Sequence, residues 1–285
     1  MSVIIGIDVG GSTTKIVAVR DEGGVRTLIE PQIVKANDPV TATYGAFGKF
    51  TDENGLKIQD ITRVMMTGVG SSFVKRDLYG LDCRKVEEFN SIGVGGLYLS
   101  GLDEALVVSM GTGTAMVHAK RGGKMNYLGG TGVGGGTLLG LTKLLTGAES
   151  SRHIEELASA GDLEKIDLRI KHMTESESLS ALSRELTAAN FGKVSDLATH
   201  EDVALGAMNL VFETIGMVSV FAARSVRVRD VVLTGNVTQF AYCKEKFDFF
   251  NGLGYGVKFL IPERSRFATA IGAALLGFGD KGVEL

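Results

Sequence analysis

Cysteine occurs only twice in this sequence and proline only three times. Cys83 and Cys243 stand alone, without Cys-x-x-Cys spacing. That excludes a disulfide scaffold, a structural zinc site and a paired-thiol redox motif, and it suits a reducing compartment, so a cytoplasmic location is expected. With so little proline and no low-complexity tract, any boundary between domains is tight. Basic runs are missing as well: 30 basic residues face 33 acidic ones, for a net charge of -3. Neither nucleic acid nor an acidic membrane surface is therefore an expected partner. The opening MSVIIGIDVGG lacks a basic segment, and Gly6 and Asp8 interrupt its apolar run, which does not fit a secretory signal. No unbroken apolar stretch reaches the roughly 20 residues of a membrane helix.

Glycine is plentiful. The stretch GGTGVGGGTLLGL, Gly129 to Leu141, holds seven glycines in thirteen residues and then turns apolar. Each glycine loses more backbone entropy on folding than any other residue, so such density needs an offsetting gain. Around it, the chain alternates strand-like and helix-like runs. Val3 to Asp8 and Thr14 to Val19 flank a Gly-Gly turn and read as a hairpin. Glu104 to Lys120 repeats that plan, and Arg229 to Asn236 is a third strand-like run ending in a glycine turn. The recurrence suggests an internal duplication. Helical spacing appears over Val86 to Leu102, in two short segments either side of Gly147, over Glu201 to Ser225 and over Phe267 to Gly279. Hairpins interleaved with helices predict an α/β protein with mixed sheets. The boundary is expected near Asp103, giving segments 1–103 and 104–285.

Five motifs could carry chemistry. In GIDVGGSTTK, Asp8 ends a strand beside Gly10 and Gly11. A carboxylate there can hold Mg²⁺ through water, bare N–H groups can approach phosphate, and Ser12, Thr13 and Lys15 can add donors or charge. The same pattern also describes an ordinary turn in which the aspartate bonds its own backbone. SMGTGTAM offers Gly111, Thr112, Gly113 and Thr114 in the same place of the second unit, so that two hairpins could clamp a phosphate chain from both sides. The third is the glycine block. Its Gly130, Gly132 and Gly135 match a dinucleotide fingerprint, and Glu155 satisfies the expected distance but sits in a helical segment rather than at a strand end. Gly136 is followed by Thr-Leu-Leu, which excludes a Walker loop. What survives is a glycine loop feeding a helix N-terminus, an anion site in general physics, or else a loop packed tightly on a sheet.

Fourth, Glu87 and Glu88 open a helical segment after CRKV. A carboxylate there could take a hydroxyl proton during phosphoryl transfer, or simply face solvent at a favourable helix start. Fifth, LTGNVTQ, containing Gly235, and ATAIGAALLG join a glycine turn to a small-residue helix. Such a pair could admit a flat ring such as adenine, or could serve only helix packing. His118, His153, His172 and His200 lack metal-ligand spacing and read as surface or packing residues.

In this order the motifs resemble the acetate and sugar kinase/Hsp70/actin superfamily. More closely, the chain resembles the type II pantothenate kinases, through GIDVGGSTTK, EEFNSIGVGGLYL, VSMGTGTA, GGTGVGGGTLLGL, ANFGK, EDVALGAMNLVFETIG and ATAIGAALL. The resemblance implies a duplicated ribonuclease-H-like fold with a central nucleotide cleft, a homodimer, ATP with Mg²⁺, and phosphorylation of the 4'-hydroxyl of pantothenate. It implies Glu88 as catalytic base and Asp8 as the metal-side acid. Gly10 to Thr13 with Lys15, Gly111 to Thr114, and Gly132, Gly134, Gly135 and Gly136 would line the phosphates, Gly235 the adenosine. Thr112, Tyr127 and Gly129 would join Glu88 around the acceptor.

One departure concerns that acceptor. Related kinases carry an arginine at the position of Tyr127, and a tyrosine cannot clamp an anion bidentately. Arg121 or Lys124 could reach in from the preceding hairpin, and Ala115 replaces a frequent hydroxyl. A kinase of this fold for another hydroxyl acceptor is therefore the alternative. An ATP-driven activator ranks below it, because such proteins hold an iron–sulfur cluster through cysteine motifs that Cys83 and Cys243 do not form.

Overall fold

The computed structural model describes residues 2–35, 38–174 and 183–279. Two five-stranded sheets of one plan dominate them. The first contains β1 (Ser2–Val9), β2 (Thr14–Glu22), β3 (Val25–Val34), β4 (Ile61–Thr67) and β5 (Cys83–Lys85), in the order β3-β2-β1-β4-β5. β2 pairs antiparallel with both β1 and β3, whereas β4 pairs in parallel with β1 and β5 in parallel with β4. α1 (Pro39–Glu53) connects β3 to β4, and α2 (Glu88–Ser100) leads out of the sheet.

The second sheet opens with β6 (Glu104–Met110), β7 (Thr114–Lys120) and β8 (Asn126–Thr131). After β8 come α3 (Gly135–Thr146), α4 (Ser151–Ser159), the small ribbon of β9 (Leu168–Arg169) and β10 (Thr187–Ala189), and α5 (His200–Ser225). β11 (Asp230–Thr234), α6 (Ala241–Gly252), β12 (Lys258–Leu260) and α7 (Ala268–Leu276) complete the chain. The order β12-β11-β6-β7-β8 mirrors the first sheet, again with three antiparallel and two parallel members. The expected duplication is thus visible in topology, and the fold is the expected α/β class with mixed sheets.

β1 and β6 are central, and both read as near-continuous apolar runs because both of their faces are covered. α2 packs on β6 and β7, and α7 returns from the chain end to cover β1, β2 and β4. These two helices also cross each other, which ties the sheets together. α5 is capped by Thr199, whose hydroxyl accepts from the Asp202 N–H. By length and composition α5 could cross a membrane, which the sequence reading did not anticipate. Most of it is nevertheless buried in the second core, among residues such as Phe212, Phe247 and Phe250.

Candidate active site

The two hairpin turns face each other across a cleft of about 500 Å³. From the first turn come Gly10, Gly11, Ser12 and Thr13, with Asp8 and Lys15 at its strand ends. Antiparallel register sets Asp8 opposite Lys15, and their side chains pair at 3.2 Å, both almost fully buried. The Asp8 carboxylate fits because residue 68 is glycine: a Cβ there would come within 2.6 Å of Asp8 Oδ1. From the second turn come Gly111, Thr112, Gly113 and Thr114, closed by a Gly111 N–H to Gly113 carbonyl bond of 2.9 Å.

The glycine block divides into three parts. Gly129 to Thr131 finish β8 and pair with Met116, Ala115 and Thr114 of β7. Gly132 to Gly134 turn the chain, and α3 begins at Gly135. The anion-site reading expected the first N–H groups of this helix to be free. They are not: Gly135 and Gly136 donate to the carbonyls of Gly111 and Thr112 at 2.8 Å each. A Cβ at Gly134, Gly135 or Gly136 would come within 3 Å of the Gly111–Gly113 turn. The offsetting gain is therefore close packing, in which the first turn of α3 braces the second hairpin from behind. Gly132 lines the cleft, while Gly135 and Gly136 line a second chamber and Gly129 and Gly134 line neither.

That second chamber, about 710 Å³, adjoins the first. Both share Ser12, Thr13, Gly111, Thr112 and Asn236, so one continuous channel passes between the hairpin turns. Gly235 bends the chain into it with a positive φ of 95°. The small residues of α7 do not face this space. Apart from Thr269 they pack against α2 and the first sheet, so helix packing is their role and the flat-ring reading of that segment is corrected.

Glu88 is the first residue of α2 and enters the cleft at the end away from the second chamber, while Glu87 is exposed and outside it. Burial raises the Glu88 carboxyl above its ordinary range. The nearby Asp8 charge raises it further, and Lys15 partly opposes both. Tyr127 lies in the same wall, its ring stacked on Phe89 at 3.9 Å and 10°. Arg121 does not reach this site. It sits in the turn at the opposite end of β7 with Lys124, and its guanidinium bonds Asp103 at 2.6 Å. Two of the histidines are bound to carboxylates, His118 to Glu104 and His172 to Glu164.

Asn236 was missed by the sequence reading, although it follows Gly235 in the quoted motif. Its Nδ2 donates to Thr13 Oγ1 at 3.1 Å, which links the first hairpin to the second lobe. Its Oδ1 is buried and meets no donor among the described residues. An unpaired buried acceptor is costly, so this one is poised for a ligand hydroxyl or bound water. With ATP, the ligand that the family resemblance implies, as the probe, Asn236→Ala is expected to weaken binding roughly 3- to 10-fold, the worth of one hydrogen bond, measured by titration calorimetry. An unchanged affinity would remove Asn236 from the site. Val69, Ser109, Thr131 and Thr269 also line the cleft without having been anticipated. Ser109, Thr131 and Thr269 lie inside the quoted motifs, whereas Val69, in the turn after β4, lies outside them and reaches the cleft only through the fold.

The chain is similar to several known proteins. The Fumble family model matches residues 104–273. A type II pantothenate kinase of Staphylococcus saprophyticus is 29% identical over 241 residues, covering 81% of this chain and 84% of its own. A type II pantothenate kinase of Staphylococcus aureus is 27% identical and covers 96% of this chain and 99% of its own. Among solved structures, the activator of the 2-hydroxyisocaproyl-CoA dehydratase from Clostridium difficile, with bound ADPNP, superposes with a TM-score of 0.65. It is 17% identical and covers 98% of this chain and 95% of its own, a likeness of fold alone.

Proposed function

This chain belongs to the Fumble family, with the type II pantothenate kinases among its relatives, and from that premise we propose that it transfers the γ-phosphoryl group of ATP to the 4'-hydroxyl of pantothenate. The observation that carries the reading is the placing of both hairpin turns and the Glu88 carboxylate in one cleft. The adenosine would occupy the chamber beside Gly135, Gly136 and Asn236. The triphosphate would run between Gly10–Thr13 and Gly111–Thr114; the Gly10 and Gly111 N–H groups close their own turns and the Thr114 hydroxyl donates to the Val133 carbonyl, so the remaining N–H and hydroxyl groups would meet phosphate oxygens. The γ-phosphoryl would then sit at the Asp8, Lys15 and Glu88 end.

Asp8 suits a hydrated Mg²⁺, since that ion takes one or two carboxylates and keeps its waters and the phosphate oxygens. The buried Thr67 Oγ1, on the strand residue paired with Asp8, has no partner among the described residues and could orient such a water. Once bound, the ion would neutralise charge across the β- and γ-phosphates. Glu88 accepts the acceptor's hydroxyl proton as the new phosphorus–oxygen bond forms and the bridging bond to ADP breaks. Its raised pKa makes it a better base than an ordinary carboxylate, provided it is ionised at the working pH.

The activator alternative has little support in the cysteines. Cys243 is buried in the second core and its thiol is held above the ordinary range by that burial, unsuited to a cluster shared at a surface. The division into lobes 1–103 and 104–285, a homodimer built around the exposed Val218 and Phe221 of α5, and a cytoplasmic location complete the proposal. Purified protein with ATP, Mg²⁺ and pantothenate is expected to yield phosphopantothenate and ADP in equal amounts. Turnover no greater than that of Glu88→Ala would overturn the assignment.

A further inference from the structure

The acceptor end of the cleft carries little positive charge. Its charged lining among the described residues is Asp8, Lys15 and Glu88, and Lys15 is already paired with Asp8 at 3.2 Å. One cation therefore faces two carboxylates before a triphosphate arrives. Pantothenate ends in a free carboxylate beyond its pantoyl amide. With the 4'-hydroxyl at Glu88 and the triphosphate between the hairpin turns, the far end of the acceptor would lie along the remaining lining, which includes Val69 and Tyr127. Both offer apolar or aromatic surface: Val69 is 70% exposed, and Tyr127 is backed face to face by Phe89. Of the cations of the neighbouring hairpin, Arg121 is held by Asp103 beyond the end of β7, and Lys124, three residues before Tyr127, is not among the residues that line the cleft.

A carboxylate resting against these side chains gains no charge-assisted partner and shares the cleft with the two acidic groups, Asp8 and Glu88. An uncharged end group needs no such partner, covers the exposed Val69 and Tyr127 surface, and can accept a hydrogen bond from the tyrosine hydroxyl. Resting on the pantoyl-kinase reading above, we infer that Tyr127 sets acceptor specificity, so that the site prefers pantoyl amides with an uncharged far end over the free acid. The transfer itself is unchanged. The γ-phosphorus bonds to the 4'-oxygen, the bond to the ADP oxygen breaks, and the hydroxyl proton passes to Glu88.

Pantothenol tests this directly, because it replaces the carboxylate of pantothenate with a neutral hydroxymethyl group, and pantetheine adds a neutral amide of natural length. Steady-state kcat/KM is measured for all three with the native chain and with Tyr127→Arg. The native chain is expected to favour pantothenol and pantetheine over pantothenate by about tenfold or more, and Tyr127→Arg is expected to reverse that order. Tyr127 is largely exposed on β8, so the exchange leaves the core intact. The native-chain ratio also decides the matter without the variant. Pantothenate used as well as pantothenol would overturn the specificity inference while leaving the kinase standing. No turnover of any of the three would overturn the kinase assignment itself.

Discussion

Glu88→Gln is expected to reduce kcat by roughly 10²- to 10⁴-fold, the usual worth of a positioned general base, with nucleotide affinity nearly unchanged. The amide keeps the shape and cannot take a proton, and the phosphate turns are untouched. For the native chain, burial and the Asp8 charge raise the Glu88 pKa. Activity is therefore expected to fall on the acid side at a higher pH than an ordinary glutamate would produce, and that limb should vanish from the residual rate of the variant. The effect on stability has the opposite sign. A carboxyl whose pKa is raised on folding contributes stability that is complete below its unfolded pKa and lost as pH rises through its folded one. At neutral pH the ionised side chain is therefore a cost, and Glu88→Gln should raise Tm there, with no gain once both states are protonated. A variant that keeps turnover within tenfold of the native chain and melts lower at neutral pH would refute the role.

The second large effect lies where α2 crosses α7. A Cβ at Gly95 would stand 1.8 Å from the Ala268 carbonyl oxygen, and one at Gly272 would stand 1.9 Å from the Ser91 carbonyl oxygen. Both obstacles are backbone, which cannot rotate aside as a side chain can. Overpacking typically costs 1–3 kcal/mol, and this site belongs at the upper end, about 3 kcal/mol. In a chain of this size that is a fall in Tm of roughly 6–12 °C. Gly140 provides the internal control, since it is exposed in α3 and a Cβ there meets nothing within 4 Å. Gly140→Ala should stabilise by about 0.5–1 kcal/mol through helix propensity alone. Equal melting temperatures for Gly95→Ala and Gly140→Ala would show that the helices part without cost. The crossing also joins the two sheets, so Gly95→Ala should weaken nucleotide binding as the cleft walls lose their fixed spacing.

Both hairpins and most of the long helices were legible from apolar spacing and glycine turns. β3 was not, because it is an edge strand with a half-exposed pattern and Pro31 inside it. α1 was also missed, although Asp38 caps it and Pro39 occupies its first turn. Two glycines and several threonines blur its apolar face. α6 carries a readable stripe in Cys243, Lys246, Phe247 and Phe250, overlooked because a buried lysine interrupts it. At the site, Asp8, Glu88 and the two turns were found from local motifs. Asn236 and Thr269 were not, since each acquires meaning only from what faces it across the cleft.

The sequence alone determined that glycine turns recur at strand ends, that the chain is α/β, and that an acidic residue opens the helix ahead of the second unit. These are local properties, set by backbone freedom and by the period of apolar residues. Only the tertiary structure decided which glycines face the cleft and which press backbone against backbone. It also placed Glu88 beside Asp8 and Lys15, set Tyr127 on Phe89, and held Arg121 on Asp103. Those outcomes depend on contacts between residues far apart in the chain, where packing and charge act through distance in space.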